Sequence, residues 1–207
     1  MENAIDNFFS PPIMDLLRDV IGTGTLNKIK KRYIIKVGET DFHHIDLQEL
    51  DSILREIVGK KTDRIMNEII SKFVKTKSIR GDMWFFSSDL VLATTVLNSL
   101  GDPLKKILLD SIGNDEKLAL DLIDEINLPQ ATSYRRLKEL LRDGILFSTG
   151  KHSEGEGRKA IIYETIFDDF EISSINNNLT VGLRMKAKFL KHSYVFQILA
   201  NRIKIKK

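Results

Sequence analysis

The sequence predicts a mainly helical α+β protein, on three observations. Apolar residues recur at helical spacing between cap residues and glycines through most of the first 146 positions. Strand signals are concentrated in the last third, in the β-branched and aromatic run 160–167 and on either side of Asn176-Asn177-Asn178. Residues 17–22 (LRDVIG) match residues 54–59 (LREIVG) at an offset of 37, and Thr25 then matches Thr62. The expected architecture is an N-terminal helical domain of two helix–Gly–helix halves (1–78), a connector (79–101), a three-helix unit closed by a strand hairpin (102–170), and a second hairpin with a terminal helix (171–207).

Composition narrows the function classes. The 207 residues contain no cysteine, which excludes disulfides, thiolate metal sites and cysteine redox chemistry, and fits a reducing cytoplasm. The first residues, MENAIDNFF, have no basic region followed by a long apolar run, so no signal peptide is expected. The most apolar later stretch, 83–100, is interrupted by Ser87, Ser88, Asp89 and Asn98, and no membrane span is expected there. Net charge is only +3, but it is unevenly placed. Residues 102–128 carry three basic and seven acidic side chains, residues 129–159 seven basic and four acidic, and residues 184–207 eight basic and none acidic.

In the first half, Ser10-Pro11 is a helix start, followed by the apolar face Ile13, Leu16, Leu17, Val20 and Ile21 up to Gly22. Leu26, Ile29 and Tyr33 continue beyond it. Asp46 with Glu49 has the spacing of a capping box, opening a helix with Leu47, Leu50, Leu54 and Ile57 that ends at Gly59. Ile65, Met66, Ile69, Ile70 and Phe73 mark the fourth helix. Two such hairpins pair into a compact domain; a solenoid needs more repeats. By its apolar spacing around the two glycines, this half resembles a small helical domain of archaeal regulators, sometimes described as an output domain. The resemblance says little about what the domain binds; signal input or partner contact, through a protein or small-molecule effector, is the expectation for it.

The connector contains the breaker Arg80-Gly81-Asp82, the aromatic trio Trp84, Phe85 and Phe86, and an apolar run at 90–100 that suits a helix but also has strand propensity. An aromatic trio beside a linker is a ligand pocket, an interface or, most commonly, core.

The next unit begins at Asp102-Pro103, a cap with proline at the first helical position. Leu104, Ile107, Leu108 and Ser111 are expected to form its buried side. A helix over 118–126 follows, with Leu118, Leu122, Ile123 and Ile126 inward and Asp121, Asp124 and Glu125 outward. After the turn Asn127-Leu128 comes a helix from Pro129 to Asp143 with a frame of Leu137, Leu140 and Leu141. Its other side is expected to hold the donors Gln130, Thr132, Arg135, Arg136 and Lys138. Gly144 stops it, a strand starts at 145, and the Gly-rich tip 149–159 leads to the strand 160–167. Two short helices, a brief turn and a third helix with basic front residues form a helix-turn-helix pattern, and the hairpin after it makes the pattern winged.

The run PQATSYRRLKELLRDGIL resembles the reading helix of winged helix-turn-helix regulators of the ArsR and MarR kind, particularly archaeal members. The resemblance covers 102–167. It implies that Gln130, Thr132, Arg135 and Arg136 fall on base- and phosphate-facing positions. The tip after the reading helix is itself read as a wing whose Lys151, His152, Arg158 and Lys159 reach the flanking minor groove or phosphates, a solvated loop being the alternative. The metal-sensing members use cysteines that this chain lacks, so metal sensing is not implied.

At the end of the chain, 170–174 and 179–185 are expected to pair as a hairpin. The helix 188–204 repeats Phe189, Phe196 and Ile203 every seven residues, beside Val195 and Leu199, a seam for a second subunit or for its own chain. No catalytic constellation is read. There is no nucleophile elbow, Gly22-Thr23-Gly24 lacks the rest of a nucleotide loop, and Glu154 and Glu156 lie in a tip too loose for acid–base work. His43 and His44 with Asp41 or Asp46 are a weak metal candidate, a polar loop being the commoner meaning. The expected function is that of a cytoplasmic, nucleoid-associated, homodimeric regulator of transcription that binds double-stranded DNA, with no enzymatic activity and no cofactor. A winged-helix protein–protein adaptor and a nonspecific nucleoid protein are the alternatives.

Overall fold

A computed structural model describes residues 4–9, 13–38, 40, 42, 45–152, 159–191 and 193–205. They form an α+β protein with two small antiparallel sheets. In chain order the elements are α1 (Ala4–Phe9), α2 (Ile13–Val37), α3 (Leu47–Val58), a 3-10 turn (Gly59–Lys61), α4 (Thr62–Phe73), β1 (Lys75–Ile79), β2 (Asp82–Ser87) and α5 (Leu90–Gly101). Then come α6 (Pro103–Ile112), β3 (Lys117–Leu118), α7 (Ala119–Ile126), α8 (Gln130–Arg142), β4 (Leu146–His152), β5 (Lys159–Thr165), β6 (Phe167–Ile175), β7 (Asn178–Met185), α9 (Ala187–Leu190) and α10 (Tyr194–Ile205).

Both halves of the N-terminal repeat break at their glycine. Gly22 (φ 76°) interrupts α2, and Gly59 (φ 62°) ends α3, a backbone region that side chains with a Cβ avoid. Burial follows the same offset: Ile13 and Leu50, Leu17 and Leu54, Ile29 and Met66, and Tyr33 and Ile70 are all buried. Asp46 caps α3, accepting from the N–H groups of Gln48 (2.8 Å) and Glu49 (3.1 Å). Glu49 does not complete a capping box; its carboxylate pairs with Lys36 at 2.8 Å. The expected start at Ser10-Pro11 lies outside the described residues, as do Asp41, His43 and His44.

The stretch read as a connector is built into a sheet. β1 and β2 form a hairpin through Arg80 and Gly81, both at positive φ, and β2 pairs with β7 to give the order β1-β2-β7-β6. The run 90–101 takes its helical option as α5, capped by Asp89. Strand alternation divides the aromatic trio. Phe85 is buried between Phe9 and Phe196, with ring centroids 6.1 and 6.3 Å away. Trp84 and Phe86 stack on the opposite sheet face, where Phe86 covers Gly182. The β6–β7 hairpin turns at Asn176 and Asn177, both at positive φ, as the Asn-rich turn predicted.

The expected terminal helix divides into α9 and α10, and its inward face folds back on its own chain. Val195 and Leu199 are buried, with α10 packed against α4 and α1. Asp6 holds the start of α10: its carboxylate accepts from Ser193 Oγ (2.7 Å), Tyr194 N (2.8 Å) and Val195 N (3.1 Å). Phe189 packs edge-on against Phe147. One apolar cluster runs from Ile5 through all these layers to Leu199. No helix among the described residues is long and apolar enough to cross a membrane.

Candidate functional site

Helices α6, α7 and α8 pack together beside a three-stranded sheet in the order β3-β5-β4. Two sequence expectations change here. Residues 117–118 are a strand paired with Tyr163 and Ile162, so α7 starts at Ala119 and Leu118 is exposed. The buried side of α6 is Lys105, Leu108, Leu109 and Ile112, while Ile107 is 43% exposed. A lysine inside the stripe disguised its phase. Its stem lies against the core while its ammonium reaches Asp143 Oδ2 at 3.0 Å.

Turn and helix follow the sequence closely. Asn127 adopts the left-handed conformation, Pro129 occupies the cap position, and Ser133, Leu137 and Leu140 form the buried face of α8. The opposite side carries Arg135, Lys138 and Arg142, all exposed, with Gln130 exposed at the front and Thr132 half-buried at the flank. Arg142 was missed, although it stands seven residues after Arg135 and four after Lys138, which is the signal that would have found it.

Arg136 is the correction. The sequence placed it outward with Arg135, but it turns toward α6 and is 23% exposed. Its guanidinium meets Asp102 Oδ2 at 3.0 Å and Glu139 Oε2 at 2.8 Å. Asp102 also caps α6 through Leu104 N (2.9 Å) and Lys105 N (3.1 Å), and Lys105 lies 3.6 Å from Glu139. Five charges thus join the start of α6 to the second half of α8. Arg136 hydrogen bonding holds the Glu139 carboxyl below its ordinary range. For Asp102, lost solvation pushes upward, but its two backbone donors and the Arg136 and Lys105 charges outweigh it and the value is lowered. The acid of α8, Glu139, is engaged in this network, and Arg142 lies 3.6 Å from Asp143 Oδ1.

Two anchors set the far end of α8. Gly144 (φ 70°) follows it, and a Cβ there would stand 2.9 Å from Phe8 Cα, so α1 presses against this corner. Beyond it β4 and β5 pair through Lys151↔Ala160 and His152↔Lys159, placing the backbones of Lys151, His152 and Lys159 at the open end of the hairpin. Arg158 lies outside the described residues. Behind the hairpin, Lys188 pairs with Glu164 and with Glu116 at 3.0 Å, while Lys186 donates to the Asn114 carbonyl at 3.1 Å.

No family model, curated protein or solved structure matches the chain. The site therefore speaks through its geometry alone. Among the described residues no group of three or more His, Asp or Glu is placed to hold a metal ion, and Asp46 is engaged as a helix cap.

Proposed function

We propose that the chain is a sequence-specific regulator of transcription that binds double-stranded DNA as a homodimer. In this reading residues 102–167 are a winged helix-turn-helix of the ArsR and MarR kind. The order α6–β3–α7–α8–β4–β5, with β3 at the edge of the hairpin, supports the winged arrangement. The observation that carries the function is the sorting of charge on α8. Arg135, Lys138 and Arg142 stand outward, and Glu139 is turned inward and neutralised. A helix prepared in this way enters a major groove with donors toward guanine edges and phosphates and no like charge facing the backbone. Gln130 and Thr132 at its start take the base-edge role, and the β4–β5 tip with Lys151, His152, Arg158 and Lys159 takes the flanking DNA.

Two copies set two such helices about 34–36 Å apart and select a palindrome with half-sites one helical turn apart. The N-terminal helices serve as the input side, coupled to α8 through the contact of Phe8 with Gly144. Selection of bound DNA from a random pool by the full chain tests the reading. The expected outcome is one enriched palindrome whose binding weakens steeply with salt, with a slope of about −0.9 per phosphate contacted. Recovery of no preferred sequence contradicts it.

One observation favours the adaptor alternative. Asp121 and Asp124 are exposed on α7, and Leu120 is 62% exposed on the same helix, a surface suited to a protein and not to a phosphate backbone. An adaptor would bind DNA with no salt-sensitive affinity.

A further inference from the structure

We infer that the outward face of α5 is the contact between two copies of this chain, packed antiparallel about a two-fold axis between Thr94 and Leu97. The inference rests on the reading of a dimeric regulator, and supplies a surface for it apart from α10, whose Val195 and Leu199 are buried in their own chain. α5 reads LVLATTVLNSLG and has no charged side chain. Its outer side carries the uncharged Thr94 and Asn98 beside three exposed apolar side chains. Leu92, Ala93, Val96 and Ser99 are covered by the molecule itself. Leu90 is 72% exposed, Val91 51% and Leu97 38%.

The exposed stripe runs Leu90, Thr94, Leu97, Gly101, the i, i+4, i+7, i+11 spacing of a two-helix seam. Large and small side chains occur on it in an order that complements itself only when reversed. In the antiparallel register Leu90 of one copy faces Gly101 of the other, and Leu97 faces Thr94. Gly101 has no positive φ, and a Cβ there meets nothing within 4 Å. The space it leaves is space for a partner's leucine. An uncharged, self-complementary patch is what an isologous two-fold contact requires, since residue i meets j and j meets i with no like charges opposed.

The surface continues past the helix. Phe170 and Ile172, both partly exposed, pair with the buried Leu183 and Val181 and so lie on the α5 side of the four-stranded sheet. They stand on the edge strand β6, whose last residues 172–175 carry no charge, whereas the other edge, β1, is guarded by Lys75 and Lys77.

The absence of cysteine makes the register directly measurable. The full chain is expected to sediment as a dimer at tens of micromolar. Leu90→Lys and Gly101→Trp, each at an exposed position, are expected to sediment as monomers with unchanged circular dichroism. Thr94→Cys/Leu97→Cys is expected to give a covalent dimer under mild oxidation, while Ile35→Cys, at a more exposed position in the N-terminal half, gives none. A monomeric wild-type chain overturns the inference, as does a dimer that survives both α5 substitutions or stays uncrosslinked at 94 and 97. Another protein as the natural occupant appears as the first of these outcomes. Anisotropy on a single half-site separates this from failure of the DNA reading. The monomeric variants should keep half-site binding and lose roughly 100-fold on the palindrome; a dimer that binds no DNA sinks the DNA reading alone.

Discussion

Two neighbouring arginines illustrate how much one residue's environment decides. Arg135 and Arg136 differ by about 100° around α8, and only the second finds Asp102 within reach. Arg136→Ala is therefore expected to act on the fold, leaving Asp102 and Glu139 without their guanidinium. It lowers the melting temperature, whereas Arg135→Ala leaves it unchanged. Thermal unfolding of the two variants checks this, and equal melting temperatures would refute the clamp. Carboxylates at the two helix contacts also answer pH in opposite senses. Asp102 and Glu139 are held below their ordinary values of 3.8 and 4.5, so their contribution is present above those values and is lost as pH falls through the lowered ones. Asp6 is raised above 3.8, chiefly by burial and against its three hydrogen bonds, so its contribution is full at acid pH and declines as pH rises through the raised value. Hydrogen exchange on acidification should accordingly loosen the α6–α8 contact before the α1–α10 contact. The reverse order would be wrong for this structure.

Among the elements, α1 does the most for its six residues. It buries Ile5, Phe8 and Phe9, caps α10 through Asp6, and meets the end of α8 at Gly144. Asp6→Ala removes the acceptor for two N–H groups and one hydroxyl. Losing a cap costs about 0.5–2 kcal/mol, and exchange protection should fall first in 194–205. Gly144→Ala combines a left-handed backbone with a Cβ driven toward Phe8. Together these cost about 2–4 kcal/mol, and the melting temperature should drop by about 10 °C. A shift of under a degree or two would show that α1 does not press on this corner. α1 was not legible in the sequence, being too short for periodicity to reveal. The Asn127 turn, the Asp102 cap and the leucine frame of α8 were legible because each is a local signal, complete within a few residues. Leu118 was read as the start of a helix because it and Lys117 become a strand only through β5, some forty-five positions away.

For the whole molecule, the same distinction separates what could be read from what could not. The helix–Gly–helix repeat, the two hairpins and the α+β class follow from spacing and turn residues. The joining of β2 to β7 does not, because it unites residues about a hundred positions apart, and with it the former connector becomes the sheet under α5. The candidate site divided in the same way: the cationic side of α8 was visible as composition, but which cations remain outward depended on the acids that α6 brings. The central claim, that this outward side reads DNA, has a direct test. Affinity for the selected palindrome should be measured for the wild-type chain and for Arg135→Ala/Lys138→Ala, a variant that leaves the Asp102–Arg136–Glu139 clamp in place. A good base contact is worth about 1–3 kcal/mol, so the double variant should lose roughly 30-fold or more in affinity at an unchanged melting temperature. Affinity unchanged by the loss of both side chains would contradict the account.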